Sequence, residues 1–212
     1  MTISKGHHNH YQEFLSPIEC KRLSAFVLSE EQRVLDIPNP YPSGYKGLTG
    51  QHSVYNWLSH PTLKVLNIPQ RLFELPDFED TTHVAIQCWM NILRQQERIG
   101  THEHGSDPNN PSPPFYAINI FLSGNPTTGT HYEDIGHSPN TLGDIHIIEN
   151  TLAHSVPSQL FREPRISMAM DVFAKPIDGT FDYLNTFLDN VEGRIIEFQR
   201  PHYDVKKFEG YC

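Results

Sequence analysis

The sequence predicts a mostly β fold, and two alternating segments carry that prediction. From residue 84 to residue 93, and again from 165 to 173, apolar residues recur at every second position or fill both sets of positions. Such patterns are typical of strands, whose successive side chains point to opposite faces. Residues 115–122 form a third strand-like run. The 17 prolines and 13 glycines indicate many turns, which favours short strands over a helical bundle.

Length, charge and cysteine content limit the class of protein. At 212 residues the chain fits one domain, since barrels and sandwiches reach ~200–250 residues undivided. A net charge of −9 argues against a nucleic-acid partner, which would need a basic surface. The widely spaced Cys20, Cys88 and Cys212 form neither a disulfide framework nor a zinc motif. We therefore expect a cytoplasmic protein, with no signal peptide and no membrane segment.

A capped helix is predicted near the N terminus. Ser16 and Glu19 have the spacing of a capping box, and Pro17 occupies the first helical position, where its missing donor costs nothing. Apolar positions then mark one face of a helix that extends to about residue 31: Ile18, Leu23, Phe26 and Val27.

The segments around this helix are predicted to be irregular. The start of the chain, with His7, His8 and His10, is predicted to be a flexible polar segment. Residues 36–62 are rich in proline and glycine and predict a long surface loop. Residues 62–75 predict a short helix that is interrupted at Pro69. The aromatic side chains of the loop form either a substrate rim or an apolar patch beneath it: Tyr41, Tyr45, His52, Tyr55 and Trp57.

Three histidines have the spacing of a metal site. Residues two apart on a strand share a face, so His102 and His104 both point into a barrel interior while Glu103 points away. His154 then supplies a third nitrogen ligand from a distant strand. Imidazole binds iron, copper, nickel and zinc alike, so these ligands alone do not identify the metal.

Arg165 and Ser167 suggest what the metal acts with. They share a face at the start of the second alternating segment, and arginine binds carboxylates with two parallel hydrogen bonds. A metal that chelates one end of a dicarboxylate, beside a clamp for the other end, is suited to 2-oxoglutarate.

Residues 84–174 resemble the 2-oxoglutarate- and iron(II)-dependent oxygenases, in particular a prolyl-hydroxylase-like branch that carries His-x-His. The resemblance implies a double-stranded β-helix (jelly roll, cupin-like) with N-terminal helices packed on one sheet. It also implies one domain, with a helical and loop part at 1–81, a jelly-roll core at 82–174, and a helix near 180–191 followed by a tail to 212. The shared elements occur in this order: Trp89 and Asn91, Gly100, His102 and His104, Gly143-Asp144, His154 and Val156, and Arg165-Ile166-Ser167.

The same resemblance implies cofactors and a reaction. Iron(II) is expected on the three histidines, and 2-oxoglutarate on Arg165 and Ser167, with Asn91 and Tyr116 as further contacts. Asn119 replaces Tyr116 if the other face of that strand looks inward. The expected reaction is hydroxylation of a small molecule or a protein, with succinate and carbon dioxide as co-products. Residues 105–114 are expected to form a lid, and the C-terminal tail to cover a sheet edge or support a homodimer.

One departure from the wider superfamily leaves the ligand set open. Its members use two histidines and one carboxylate, whereas position 104 is histidine here. The site is either all-histidine or recruits a carboxylate such as Asp107, Glu133 or Asp134. A rival triad combines His131 and Glu133 with His154, but it leaves little chain for the strands between them. We therefore favour the upstream pair.

Two other functions compete with the oxygenase. The first is a cupin-type, three-histidine dioxygenase or isomerase that does not use 2-oxoglutarate, in which Arg165 binds the substrate directly. The second is a non-catalytic jelly-roll module with a structural zinc, although such sites usually contain cysteine. Among the remaining histidines, we expect His137 to face solvent and His146 to be structural.

Overall fold

A computed structural model of the chain describes residues 8–40, 44–104, 116–176 and 195–200. Within these ranges ten strands form two antiparallel sheets, as the predicted fold class requires. The strands are β1 (His8–Tyr11), β2 (Thr81–Leu93), β3 (Ile99–His102), β4 (Tyr116–Ser123), β5 (Thr130–Tyr132), β6 (Gly136–Ser138), β7 (Ile145–Glu149), β8 (His154–Val156), β9 (Arg165–Pro176) and β10 (Ile196–Gln199). The larger sheet has the order β1-β7-β4-β9-β2-β10, and the smaller sheet has the order β3-β8-β5-β6.

Strands β2 and β9 are the longest strands of the larger sheet and define its two faces. They pair along their length, with Leu93 opposite Arg165 and Asn91 opposite Ser167. Because side chains alternate along a strand, Met90 and its even-numbered neighbours lie on the outer, helix-covered face. Trp89 and its odd-numbered neighbours lie on the inner face, toward the cavity between the sheets.

Helix α1 (Pro17–Leu35) packs on the outer face of this sheet. Ser16 caps it in the predicted capping box with Glu19. Ile18 was expected on the buried face of α1 but is 58% exposed. The face that meets β4 includes Ser24 instead, whose hydroxyl donates to the Leu122 carbonyl. The buried residues of α1 are Cys20, Leu23, Ser24, Val27 and Val34.

The region 36–62 is only in part the surface loop that its composition predicted. The described residues up to 46 are irregular and mostly exposed, but two 3-10 helices follow, Gly47–Ser53 and Trp57–Ser59, that lie against β2. Trp57 is 1% exposed, and the Asn56 amide donates to the Ile86 carbonyl at 2.7 Å. The packing of a buried aromatic side chain therefore orders this segment, although the region is rich in proline and glycine.

Two short helices follow, α2 (Pro61–Lys64) and α3 (Ile68–Phe73). The predicted break lies earlier than Pro69, at Asn67, whose φ of 50° is left-handed. Pro69 lies in the first turn of α3, where proline is tolerated because no helical donor is lost. It therefore helps to begin a helix and does not interrupt one. No helix in the described ranges has the length and apolar character needed to cross a membrane.

The first and the last described strands, β1 and β10, form the two edges of the larger sheet. The expectation of a flexible start is wrong for residues 8–11, which pair with β7. Side-chain contacts reinforce this pairing, since His10 Nε2 lies 2.6 Å from Asp144 Oδ2. At the other edge, β10 pairs with β2. His7, the predicted helix at 180–191, the loop 105–114 and the tail beyond residue 200 lie outside the described residues.

Candidate active site

The three histidines predicted from the sequence meet at one point between the sheets. In the β3–β8 pair, His102 lies directly opposite His154. His104 lies just beyond the end of β3, and its backbone N–H donates to the Asn150 carbonyl at 2.8 Å. One ring nitrogen from each residue lies within 4.8 Å of the others, close enough to hold one metal ion.

Hydrogen bonds fix the tautomer of all three rings. Nδ1 of His102 lies 2.9 Å from the Gly100 carbonyl, and Nδ1 of His154 lies 3.0 Å from the Leu152 carbonyl. A carbonyl only accepts, so each Nδ1 carries the proton and each Nε2 keeps a lone pair. Nδ1 of His104 donates in the same way to Asp171 Oδ1, at 2.5 Å. This pattern is typical of histidines that bind a metal through Nε2.

His104 provides the clearest sign that the cluster fits a metal. Its Nε2 is buried and has no hydrogen-bond partner among the described residues. Buried polar atoms without a partner are rare in folded proteins. A divalent metal would satisfy this atom together with Nε2 of His102 and His154.

Burial keeps two of these rings neutral. It lowers the pKa of His154 to about 3, and the neighbouring His104 and His102 lower it further. Burial and His104 also lower the pKa of His102. For His104, burial lowers the pKa, but the Asp171 carboxylate more than offsets this, so the net shift is upward. Neutral imidazole is the form that binds a metal.

Two of the carboxylates proposed from the sequence do not join this cluster, because Glu133 and Asp134 are exposed. Asp107 lies outside the described residues, so its part in the site stays a prediction. The rival triad is not formed, because His131 is exposed on β5 while the adjacent Tyr132 points inward and is buried.

Strand alternation predicted that the Glu103 side chain points away from the interior. Glu103 is among the residues that line the cavity. The chain leaves β3 at His102, so the alternation no longer applies to the residue that follows.

Asp171 contacts a histidine of the cluster and was not among the residues predicted from the sequence. It lies on β9 at the inner face and lines the cavity. The signal was present, because positions 165, 167, 169 and 171 share one face of an alternating strand. An aspartate on that face, in a largely apolar segment, needs a polar partner, and His104 is that partner.

Arg165 is buried, with 1% of its surface exposed. Its guanidinium donates to Ser167 Oγ at 3.0 Å and to Thr130 Oγ1 and Asn140 Oδ1 at 3.3 Å each. It lies 5.9 Å from the centre of the Phe121 ring. All of these neighbours are uncharged, and burial lowers the pKa of Arg165 to about 10. Its Nε has no partner among the residues described.

This guanidinium lies beside the cavity that holds the histidines. The cavity has a volume of about 250 Å³, and Thr130, Tyr132 and His146 line it. Burial raises the pKa of Tyr132, and the charge of Arg165 opposes that rise. Burial lowers the pKa of His146 to about 3, with smaller contributions from His10, His8 and Arg165. The cavity wall therefore carries the field of a buried cation, which favours an anionic ligand.

Asn91 and Ser167 connect the arginine to the cavity. Asn91 is 4% exposed and lines the cavity. Its amide donates to Ser167 Oγ at 3.4 Å, and its carbonyl accepts from Thr49 Oγ1 at 2.7 Å. Ser167 Oγ in turn accepts from Arg165. These contacts fix the guanidinium in one orientation.

Tyr116 does not face the cavity. Its ring packs against Phe78, with centroids 5.4 Å apart, on the helix-covered face of the larger sheet. Asn119 is on the opposite face of β4 and lines the cavity. Strand alternation thus gives Asn119 the place that was expected for Tyr116.

Two other predictions concerned the cavity wall. His146 was expected to be structural; its Nδ1 lies 2.9 Å from His8 Nε2, and it also lines the cavity. The aromatic side chains of region 36–62 were expected to form either a substrate rim or an apolar patch, and the structure shows some of each. Tyr45 and His52 line the cavity, whereas Trp57 belongs to the core and Tyr55 packs against it. Tyr41 is not among the described residues.

No protein-family model matches the sequence, and the comparison with curated proteins gives no match. Solved structures do match. AviO1 from Streptomyces viridochromogenes Tue57 has a TM-score of 0.58 and 15% identity, over 81% of this chain and 91% of that chain. The epimerase SnoN, in complex with Fe³⁺, α-ketoglutarate and nogalamycin RO, has a TM-score of 0.55 and 13% identity, over 95% and 93%.

A third solved structure is HygX from Streptomyces hygroscopicus, with nickel and 2-oxoglutarate bound. It has a TM-score of 0.54 and 12% identity, and the match covers 83% of each chain. At these identities the likeness establishes the fold alone. The chain therefore has the double-stranded β-helix fold of the 2-oxoglutarate- and iron(II)-dependent oxygenases.

Proposed function

We propose that this protein is a 2-oxoglutarate- and iron(II)-dependent dioxygenase. One observation carries the proposal: a ring nitrogen from each of three histidines converges at a cavity beside a buried guanidinium that has no acidic partner among the described residues. The first group suits a divalent metal, and the second suits a carboxylate. 2-Oxoglutarate joins a metal-chelating keto acid to a second carboxylate in one small molecule.

The three histidines are the proposed iron ligands. Three protein ligands leave other coordination positions for small molecules, as in the open sites of non-heme iron enzymes. When bound, iron(II) and 2-oxoglutarate supply oxidative decarboxylation with dioxygen, which yields succinate, carbon dioxide and an oxidised substrate. The contribution of the protein is to hold the ligands, orient the acid and line the cavity that encloses them.

Arg165 is the proposed partner of the distal carboxylate. Burying a cation without a counter-charge has a large desolvation cost. Only neutral hydrogen-bond acceptors surround this guanidinium among the described residues, so that cost is not offset by an opposite charge. A bound carboxylate would remove it. Ser167 and Thr130 hold the guanidinium in place, and Asn91 and Asn119 offer neutral donors in the cavity wall.

Hydroxylation of a small molecule or protein is the outcome that we propose for the substrate. The fold supports a range of outcomes, since its solved relatives include a prolyl-4-hydroxylase from Pseudomonas putida and the epimerase SnoN. Two metal-bound relatives, HygX and SnoN, also hold 2-oxoglutarate, for which α-ketoglutarate is a synonym, and this supports the co-substrate.

A ligand-selectivity experiment tests this function. 2-Oxovalerate has the carbon chain and keto acid of 2-oxoglutarate but a methyl group in place of the distal carboxylate. We expect calorimetry on the manganese(II)-loaded protein to show about 10–100-fold weaker binding of 2-oxovalerate, the range for a charged hydrogen-bonded pair. Arg165→Gln should remove most of this difference.

Arg33→Ala is the matched control, because Arg33 lies on the exposed side of α1. It should leave the binding of both acids unchanged. Equal binding of the two acids by the wild-type protein would rule out the proposed clamp. Binding of neither acid, with manganese bound, would favour an enzyme that does not use 2-oxoglutarate.

A further inference from the structure

No carboxylate of the described residues joins the three histidines, but one lies directly behind a histidine of the cluster. Asp171 Oδ1 accepts from Nδ1 of His104 at 2.5 Å, and the two side chains are 18% and 10% exposed. His104 occupies the position where related sites carry a carboxylate ligand. The negative charge is therefore present in this protein, but it is separated from the metal position by one imidazole ring.

The three histidines differ in this respect. Nδ1 of His102 and of His154 is hydrogen-bonded to a neutral backbone carbonyl. Only His104 among the three is paired with an acid. A carboxylate partner makes an imidazole a stronger electron donor and holds its ring in one orientation. His104 is also the ligand whose Nε2 is buried without a partner in the described residues.

The fold holds Asp171 rigidly. It lies in β9, between β2 and β4 in the larger sheet, opposite Gln87 on one side and Ala117 on the other. Its carboxylate therefore reaches His104 from the most extensively paired part of the molecule. His104, in contrast, lies beyond the end of β3, where its ring contact with Asp171 adds to the backbone hydrogen bond with Asn150.

We propose that Asp171 is a positioning residue that acts on the metal through His104. It replaces the direct carboxylate ligand of two-histidine sites with an aspartate–histidine pair of the same total charge. This inference rests on the proposed function only insofar as the histidines hold a metal; it does not depend on Arg165 or on the identity of the acid.

Cobalt(II) affinity of the full-length protein tests the inference. We expect Asp171→Asn to lower it about 10–100-fold, the usual cost of removing the carboxylate behind a ligating histidine. Asparagine can still accept from Nδ1, so this variant mainly removes charge. Asp171→Ala should cost more, because it also releases the ring. Asp77→Asn is the control, as Asp77 is a half-buried, hydrogen-bonded carboxylate on the helix-covered side, and it should have no effect.

Combining Asp171→Asn with His104→Ala tests whether Asp171 acts through His104 or supports the fold in general. In His104→Ala, the remaining histidines should bind cobalt weakly, and Asp171→Asn should then cause no further loss. An equal loss in both backgrounds, or no loss in the wild-type background, would overturn the role of Asp171 while leaving the proposed function intact. Failure of the wild-type protein to bind cobalt would overturn both. Melting of the metal-free variants verifies that each is folded.

Discussion

His102 and His154 lie opposite each other in adjacent antiparallel strands, with ring centroids 4.4 Å apart. This pair joins two parts of the chain that are far apart in sequence, and it fixes two of the three proposed metal ligands. The rival ligand His131 lies one strand further on and is exposed. The cluster of His102, His104 and His154 and the rival triad with His131 therefore predict different effects of single histidine substitutions on metal binding.

Substitution of His154 should abolish tight metal binding. His154→Ala removes one of three converging Nε2 donors, so we expect iron(II) or cobalt(II) affinity to fall at least about 100-fold, as expected when a direct ligand rather than its supporting partner is lost. His131→Ala should bind metal like the wild-type protein. Metal analysis after dialysis against a weak chelator measures both. Loss of metal from His131→Ala with retention in His154→Ala would restore the rival triad.

The two faces of β4 give a second prediction. Asn119→Ala should weaken 2-oxoglutarate binding about 2–10-fold, the range for one neutral hydrogen bond. Tyr116→Phe should leave it unchanged, because that ring packs against Phe78 on the other face. Calorimetry with the manganese(II)-loaded protein provides the measurement. A large effect of Tyr116→Phe alone would contradict the assigned orientation of the strand.

Two glycines with similar backbone angles should differ in tolerance to alanine. Gly143 and Gly136 have φ values of +83° and +86°. A Cβ on Gly143 would lie 1.9 Å from the Leu15 carbonyl oxygen, whereas one on Gly136 would meet nothing within 4 Å. We expect Gly136→Ala to cost about 1–2 kcal/mol from backbone strain alone. Gly143→Ala should cost about 3 kcal/mol or more, because overpacking adds to that strain.

Urea unfolding of both alanine variants measures this difference in the free energy of unfolding. The close contact at Gly143 joins the entry to α1 to the turn before β7, where the Leu15 N–H also donates to the Gly143 carbonyl at 3.0 Å. Equal costs for the two substitutions would show that this contact is not rigid.

Glu19 should make stability depend on pH in the acid range. The Arg71 guanidinium, opposed by burial and assisted by Ser16, lowers the pKa of Glu19 from 4.5 to about 2. A lowered folded-state pKa contributes stability above the unfolded pKa of 4.5, and this contribution is lost as the pH falls toward 2. Glu19→Gln keeps a capping-box residue but removes the charge.

We expect this variant to be about 1–2 kcal/mol less stable than the wild-type protein at pH 7, given partial exposure of the pair. The difference should vanish near pH 2. Urea unfolding at several pH values measures it, and Glu74→Gln, at an exposed position, is the control. A difference that is constant with pH would show that the Arg71 contact does not lower the pKa.

Much of the site was predictable because strand alternation converts sequence spacing into shared faces. His102, Arg165 and Ser167 follow this rule, and the structure places each on the inner side. His104 also reaches the cluster, although it lies beyond the end of β3. Asp171 follows the same rule, but it lies outside the motif Arg165-Ile166-Ser167, so the motif did not predict its contact with His104.

The remaining differences arise from tertiary contacts that local composition does not encode. Tyr116 and Asn119 are both suitable ligands, and only the sheet's orientation decides between them. The region around Trp57 is rich in turn-forming residues, yet its aromatic side chains pack against β2 and order it. His8 and His10 form a strand because β7 offers an open edge.

The most direct test of the account is an anaerobic titration of the iron(II)-loaded protein with 2-oxoglutarate, monitored by visible absorption. Chelation of iron(II) by the keto acid should produce a weak charge-transfer band. The band should be absent from His154→Ala, and absent from Arg165→Ala at the same ligand concentration. A wild-type protein that holds iron but shows no band at saturating 2-oxoglutarate would contradict the account.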